Sequence, residues 1–176
     1  QSFEFKKNLR YGENPNQESF IIDNDDPSIF DLQLNGKRLS YNNIIDVDNG
    51  LACLNEFSEP TCVIIKHNNP CGVASSNKII DSYIKALNSD TKSAFGGILL
   101  FNRLIDKKLA KLISNNFFEI VVATDFDKHA LNILTKKKNL IILKTGKIRT
   151  SKKEHRSTIF GTVYQKKDVS KINKSF

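Results

Sequence analysis

Residues 62–72 read Cys-Val-Ile-Ile-Lys-His-Asn-Asn-Pro-Cys-Gly. Val63, Ile64 and Ile65 form a β-branched run of the kind that fills a buried strand. The run then meets Lys66 and His67, two groups that are costly to bury without partners. Successive side chains on a strand face opposite ways, so Lys66 and His67 can share one pocket only if the chain bends there. Asn68-Asn69-Pro70 offers that bend, because Asn accepts turn geometry and Pro cannot extend a ladder. A cation beside a titratable base at the carboxyl end of a buried strand also lies where open α/β sheets usually place ligands. The plainer alternative is a strand that simply ends in polar surface residues.

The regions flanking this stretch alternate regularly. Downstream, Ile79, Ile80, Tyr83, Ile84 and Leu87 predict a helix over 77–88, followed by Ser93-Ala94-Phe95-Gly96-Gly97 and a strand at Ile98–Phe101. A helix capped by Asp106, a strand over 119–123, a helix over 127–136 and a strand over 140–143 follow. Apolar strands separated by amphipathic helices predict a mostly parallel sheet covered on both faces, an α/β fold. Upstream, Tyr41 to about Phe57 reads as a helix with Val47, Leu51, Leu54 and Phe57 on one side and Pro60 preventing continuation. Asn42, Asn43 and Asp46 cluster at its start, where backbone N–H groups and polar side chains can face a ligand. Leu32-Gln33-Leu34 alternates like a short strand, and Asn35-Gly36 closes it with a hairpin-like signal. Leu9 to Gln17, rich in Gly, Asn and Pro, specifies a fixed turn, with Arg10 able to grip an anion and Tyr11 to stack on a ring. Residues 23–28 read as a loop, and 157–165 as a further strand.

The 176 residues, 39% hydrophobic and 26% charged, fit one globular domain. No apolar run approaches the roughly 20 residues that a membrane helix needs. The opening residues lack a signal-like stretch, and three cysteines do not form a disulfide framework, so a cytoplasmic protein without membrane partners is expected. The net charge of +8 is uneven: residues 1–134 carry 14 Lys/Arg and 17 Asp/Glu, whereas 135–176 carry 13 Lys/Arg and two acids. Aromatic residues are not interleaved around Lys136-Lys137-Lys138 and Lys144 to Lys153, where the excess basicity lies, and no base-reading motif occurs, which argues against nucleic acid as a partner. Solvated surface is the first reading of this segment, and attraction of an anionic substrate the second. Cys53, Cys62 and Cys71 sit nine residues apart without a C-x-x-C, so no metal site is expected. Pro70-Cys71 matches half of the P-C-x-x-C signature of zinc deaminases, but Ala74 stands where the second Cys would be. Gly96-Gly97 lacks the spacing of a dinucleotide or phosphate-loop fingerprint and reads as a close-approach turn.

Four stretches occur in order: Leu9-Arg-Tyr-Gly-Glu-Asn-Pro-Asn-Gln17, Gly36-Lys-Arg-Leu-Ser-Tyr-Asn-Asn-Ile-Ile-Asp46, residues 62–74, and Ser93-Ala-Phe-Gly-Gly97. Together they resemble the transformylase part of the AICAR transformylase/IMP cyclohydrolase family, from about Leu9 to at least Leu134 and on toward Gln165. The resemblance implies a cytidine-deaminase-like three-layer fold without zinc, of which residues 1–176 would form the first half, with no cyclohydrolase domain. It implies transfer of the formyl group of 10-formyltetrahydrofolate to the amine of AICAR, with folate as co-substrate, no metal, and a homodimer that completes the site. It places catalytic roles on Lys66 and His67, AICAR binding on Arg10, Tyr11 and Asn43, and further substrate contacts on Phe95, Gly96 and Glu119; Asp46 joins the substrate-facing group. His67 suits a base and Lys66 suits oxyanion stabilisation. Asn16, Thr91, Thr124 and the single Gly161 depart from the family pattern, which commonly has His at the first, Pro at the next two and a Gly pair at the last. Two rival readings are a non-catalytic AICAR-binding fragment and a zinc-dependent deaminase-like enzyme.

Overall fold

The computed structural model describes residues 6–22, 28–147 and 153–166. In chain order the elements are β1 (Lys6–Asn8), β2 (Phe20–Ile22), β3 (Gln33–Asn35), α1 (Tyr41–Leu54), β4 (Thr61–Lys66), β5 (Asn69–Ser75), α2 (Ile79–Ser89), α3 (Thr91–Ala94), β6 (Ile98–Phe101), α4 (Lys107–Ser114), β7 (Ile120–Ala123), α5 (Lys128–Leu134), β8 (Ile141–Lys144), β9 (Lys153–Thr158) and β10 (Gly161–Lys166). Six of the strands form one sheet in the order β3-β8-β7-β6-β4-β5.

The apolar runs bury both faces of their strands, and the alternation divides them between two cores. Cys62, Ile64, Leu99, Phe101, Val121, Ala123 and Ile142 face one layer, with Tyr83, Leu109, Ile113 and Leu134 from α2, α4 and α5. Val63, Ile65, Ile98, Leu100, Ile120, Val122, Ile141 and Leu143 face the other, with Val47 and Leu54 from α1. Each fully buried side chain of this size contributes about 1.5–3 kcal/mol. The result is the expected three-layer α/β architecture. Gly50 lets α1 approach the sheet, since a Cβ there would meet Leu100 Cδ1 at 2.5 Å. Side chains of Ser40, Asp90, Asp106 and Asp127 cap α1, α3, α4 and α5, the Asp106 cap as the sequence predicts.

The parallel character lies in the middle of the sheet, where β6 pairs with β7 and β7 with β8 in parallel. The strands on either side run antiparallel: β4 to both β5 and β6, and β3 to β8. Pro70 does not end the sheet as the sequence reading has it. It sits in β5 at the sheet edge, opposite Ile65, where its missing N–H faces outward; the ladder shifts register between Ile64 and Ile65. Gln33–Asn35 forms no local hairpin and pairs with Leu143 and Ile142, more than 100 residues away, while Gly36 turns the chain with φ 102°. Residues 157–165, read as one strand, are most of the β9–β10 hairpin, with Ile159 and Phe160 at its tip.

Part of the basicity beyond residue 134 is paired: Lys137 Nζ donates to Asn116 O at 2.6 Å, and Lys144 Nζ lies 2.7 Å from Asp125 Oδ1. The remainder of the basic segment at 148–152 and 167–176, and the expected loop at 23–27, lie outside the described residues. Among the described residues no helix is long and apolar enough to cross a membrane.

Candidate active site

Lys66 ends β4, and a two-residue turn, His67-Asn68, leads directly into β5 with Lys66 opposite Asn69. Both turn residues are left-handed, His67 at φ 50° and Asn68 at φ 65°. This geometry matches the twist of a hairpin, but it normally selects Asn-Gly; for a residue with a Cβ it costs about 1–2 kcal/mol. Three contacts fix the turn. Asn68 N–H donates to Asp46 Oδ1 at 2.8 Å, Asn69 Nδ2 donates to His67 O at 3.0 Å, and Lys66 Nζ donates to Phe95 O at 2.8 Å. The bend expected at Asn68-Asn69-Pro70 therefore falls one residue earlier, and it does bring Lys66 and His67 to one cleft.

That cleft, about 210 Å³, is bounded by the His67 turn, the start of α1, the Gly96-Gly97 loop and Glu119. It opens at the carboxyl end of β4. Because β4 runs antiparallel to β6, this is the end at which β6, β7 and β8 begin. The placement expected for a parallel sheet, beyond its carboxyl ends, is thus reversed for the parallel strands.

Asn43 and Asp46 are one helical turn apart on α1. Asn43 Oδ1 accepts from Ser40 N–H at 3.1 Å and Ser40 Oγ accepts from Asn43 N–H at 3.3 Å, a reciprocal cap that fixes the helix start. Cap formation occupies the Asn43 oxygen, so its amide nitrogen is the part that can serve the cleft it lines. Burial pushes the Asp46 carboxyl above its ordinary value of 3.8; the Asn68 N–H and the nearby His67 and Lys66 charges pull it down, and Glu119 adds to the rise.

Residues 9–17 form the fixed turn the sequence specifies, with Gly12 N–H donating to Gln17 O at 2.8 Å and Gln17 N–H to Asn14 O at 3.0 Å. It joins the helix start through Tyr41 N–H to Tyr11 O at 3.0 Å and Asn42 Nδ2 to Glu13 O at 3.0 Å. Tyr11 lines the cleft, whereas Arg10 lines a neighbouring groove of about 460 Å³ that Tyr11 also borders. The Arg10 guanidinium stacks 4.5 Å from the Tyr11 ring centre and donates to its hydroxyl at 2.9 Å, so the two act as a unit. Arg10 Nε is buried without a hydrogen-bond partner.

Gly96 (φ 68°) places its backbone against the lysine: a Cβ there would lie 3.1 Å from Lys66 Nζ. Phe95 does not line the cleft. It is 65% exposed at the rim, with its ring 5.2 Å from that of Phe117, which is 51% exposed. Glu119 pairs loosely with Lys37 at 3.5 Å. Sequence reasoning missed Phe117 and Lys37. Lys37 lies in the quoted 36–46 stretch beside Gly36, but only the fold brings it to Glu119; Phe117 carries no local signal, since its partner is 22 residues away. Lys66, His67, Asn43, Asp46, Tyr11, Gly96 and Glu119 therefore come together, and Arg10 and Phe95 stand at the margins. Among the described residues no group of three or more His, Cys, Asp and Glu side chains could hold a metal ion.

A family model described as the AICARFT/IMPCHase bienzyme matches residues 1–175. Among curated proteins, the chain is 44% identical over 176 residues to the bifunctional purine biosynthesis protein PurH of Buchnera aphidicola subsp. Schizaphis graminum, covering 96% of this chain and 34% of that protein. It is 46% identical over 176 residues to PurH of Caldicellulosiruptor saccharolyticus, with the same coverage, and 42% identical to PurH of Bacteroides thetaiotaomicron, covering 94% and 32%. The chain spans about a third of the length of these relatives. Among solved structures it is similar to a dCMP deaminase from cyanophage S-TIM5, with TM-score 0.45, 10% identity and coverage of 58% of this chain and 97% of that one. Acinetobacter baumannii RibD gives TM-score 0.42, 16% identity and coverage of 58% and 33%. Both structural likenesses are distant.

Proposed function

The chain belongs to the AICARFT/IMPCHase bienzyme family, and from this premise we propose that its cleft is part of a formyl-transfer site of purine biosynthesis. The proposed reaction moves the formyl group of 10-formyltetrahydrofolate to the amine of AICAR, giving FAICAR. The observation that carries the reading is the turn at 66–68, which sets Lys66 and His67 side by side at a cleft also lined by Asp46 and Glu119.

The chemistry follows from the substrate. The AICAR amine is a weak nucleophile, because its lone pair is delocalised into the imidazole carboxamide. As its nitrogen bonds to the formyl carbon, it must lose a proton, and charge develops on the formyl oxygen. His67 takes that proton as general base. Lys66, held by Phe95 O with N–H groups to spare, stabilises the oxyanion. The bond from the formyl carbon to the folate nitrogen then breaks, and that nitrogen receives the proton that His67 took. Tyr11 and the Asn43 amide hold AICAR from the helix side, with Gly96 and Glu119 opposite. Arg10, in the adjoining groove, binds the phosphate, and Phe95 with Phe117 offers an aromatic rim for a planar ring.

A cleft of about 210 Å³ is smaller than the roughly 300 Å³ at which ligand pockets usually begin, and two substrates must fit. The reading therefore includes further chain walls, from the remainder of a transformylase and from a homodimer partner, in a cytidine-deaminase-like, zinc-free, cytoplasmic enzyme of small-molecule substrates. A formyl-transfer assay of this chain, alone and mixed with the remaining transformylase part of a family member, tests it. Turnover that appears only in the mixture and disappears with Lys66→Ala is expected. Stoichiometric zinc with release of ammonia would instead support a deaminase.

A further inference from the structure

The hairpin turn that carries the proposed base is not stable by its own sequence. Its two central residues are both left-handed, a geometry that Gly adopts freely and that costs a residue with a Cβ, even His or Asn, some stability. Only two ladder pairs, Ile65 with Pro70 and Lys66 with Asn69, separate the turn from a register shift between Ile64 and Ile65 that leaves Cys71 without a ladder partner. Besides the Asn69 amide within the hairpin, a contact from outside it holds this turn. Among the described residues, one side chain from another element grips its backbone: Asp46, whose Oδ1 accepts the Asn68 N–H at 2.8 Å across 22 residues of sequence.

We propose that Asp46 is a positioning residue, which clamps the His67-Asn68 turn from α1 and thereby holds Lys66 and His67 together in the cleft. The inference rests on the formyl-transfer reading for its catalytic consequence, though not for the clamp itself. Asp46 is well placed for the task because α1 is rigid at that point. The Ser40–Asn43 cap fixes its start, Val47 is 3% exposed beneath it, and Gly50 seats the helix on Leu100. The clamp also accounts for a carboxylate in a half-buried place near a second one, Glu119. Asp46 Oδ1, already accepting a backbone N–H at the cleft wall, is committed to the protein. Asp46 keeps its place in the lining of the cleft and, on this proposal, acts there by holding the turn.

Two variants separate the clamp from a substrate ligand. Asp46→Ala removes the acceptor, whereas Asp46→Asn keeps an oxygen that can take the same N–H. Hydrogen exchange on this chain reads the clamp without any assay of activity. Exchange of the Asn68 amide should rise about tenfold or more in Asp46→Ala, with amides of β6 and β7 unchanged, and should return toward the parent in Asp46→Asn. In a full-length family member carrying this segment, Asp46→Ala should lower kcat by up to about 100-fold through misplaced groups, with KM for AICAR within about twofold, and Asp46→Asn should recover most of the loss. Unchanged Asn68 exchange in Asp46→Ala overturns the clamp whatever the enzyme does. Restored protection in Asp46→Asn with no recovery of turnover, or a rise in KM that matches the loss, overturns its catalytic role. Loss of protection throughout β6 and β7 in Asp46→Ala would leave Asp46→Asn as the deciding variant, with parent-like Asn68 exchange supporting the clamp and Ala-like exchange overturning it.

Discussion

The two ends of the central sheet differ in how their polar groups are used. At the carboxyl ends of β6, β7 and β8, polar side chains are consumed by one another and by backbone. Asn102 accepts from Thr61 N–H at 2.8 Å and donates to Glu59 O at 2.7 Å and Phe57 O at 3.2 Å. Asp125 is tied to Lys144, whose side chain is the main cause holding its carboxyl below the ordinary value, with the Phe126 N–H second. Asp127 caps Ala130 at 2.6 Å and also accepts from Lys107 N–H at 3.0 Å. At the amino ends, Lys66 holds a single carbonyl, Glu119 and Lys37 meet only at 3.5 Å, and the turn is strained. Parallel strands would ordinarily put the ligand at the first of these ends. Here the antiparallel β4 carries its Lys-His pair to the other, and the end with less committed charge is the one we propose as the binding end.

Substitutions at either end test this contrast. The largest effect expected is that of Lys66→Ala: about 100- to 1,000-fold in kcat for a full-length family member, or about 2.7–4 kcal/mol of transition-state stabilisation, with the urea midpoint of this chain nearly unchanged. Asn102→Ala should do the converse. It leaves the buried Thr61 N–H without its acceptor and removes the amide's bonds to Phe57 O and Glu59 O, and should cost about 3 kcal/mol by urea unfolding, while AICAR affinity under folding conditions stays the same. Arg10→Lys should weaken AICAR binding by about tenfold in calorimetry and leave folate binding alone, since Lys cannot reproduce the planar stack on Tyr11. Equal loss for both ligands would point to damage of the 9–17 turn.

The smallest expected effect is a pH dependence of stability. The folded-state proton affinity of Asp46 is raised above its ordinary 3.8, chiefly by burial. Ionising the group therefore opposes folding; the cost is full above the folded value and vanishes as pH falls below the unfolded one. Asp46→Asn should be more stable than the parent near pH 7, and the gap should close below about pH 4, near the unfolded carboxylate value. A gap that widened on acidification would contradict the sign.

Much of this was readable from local sequence. Ile98–Phe101, Ile120–Ala123 and the Ile141, Ile142 and Leu143 of β8 are continuous apolar runs, and a strand buried on both faces requires nothing else. Asp106 announced its helix because a cap is a local interaction. The direction of β4 was not readable, because direction is settled by which strand it meets and not by its own residues. Pro70 misled for a related reason: it blocks a ladder only on its N–H side, and edge position is a property of the whole sheet. At the cleft, the motifs brought seven of nine expected residues together, while Arg10 and Phe95 fell at its margins. The double duty of Asn43, half cap and half cleft wall, appears only once Ser40 is seen opposite it.

The central claim, that the amino end of the parallel strands is the binding end, is tested most directly by titrating AICAR into isotopically labelled chain and following backbone amide shifts. Shifts concentrated at Lys66–Asn69, Gly96-Gly97 and Glu119, with Asn102, Asp125 and Lys144 unmoved, are predicted. Shifts centred on Asn102, Asp125 and Lys144, or spread evenly over both ends, would contradict it.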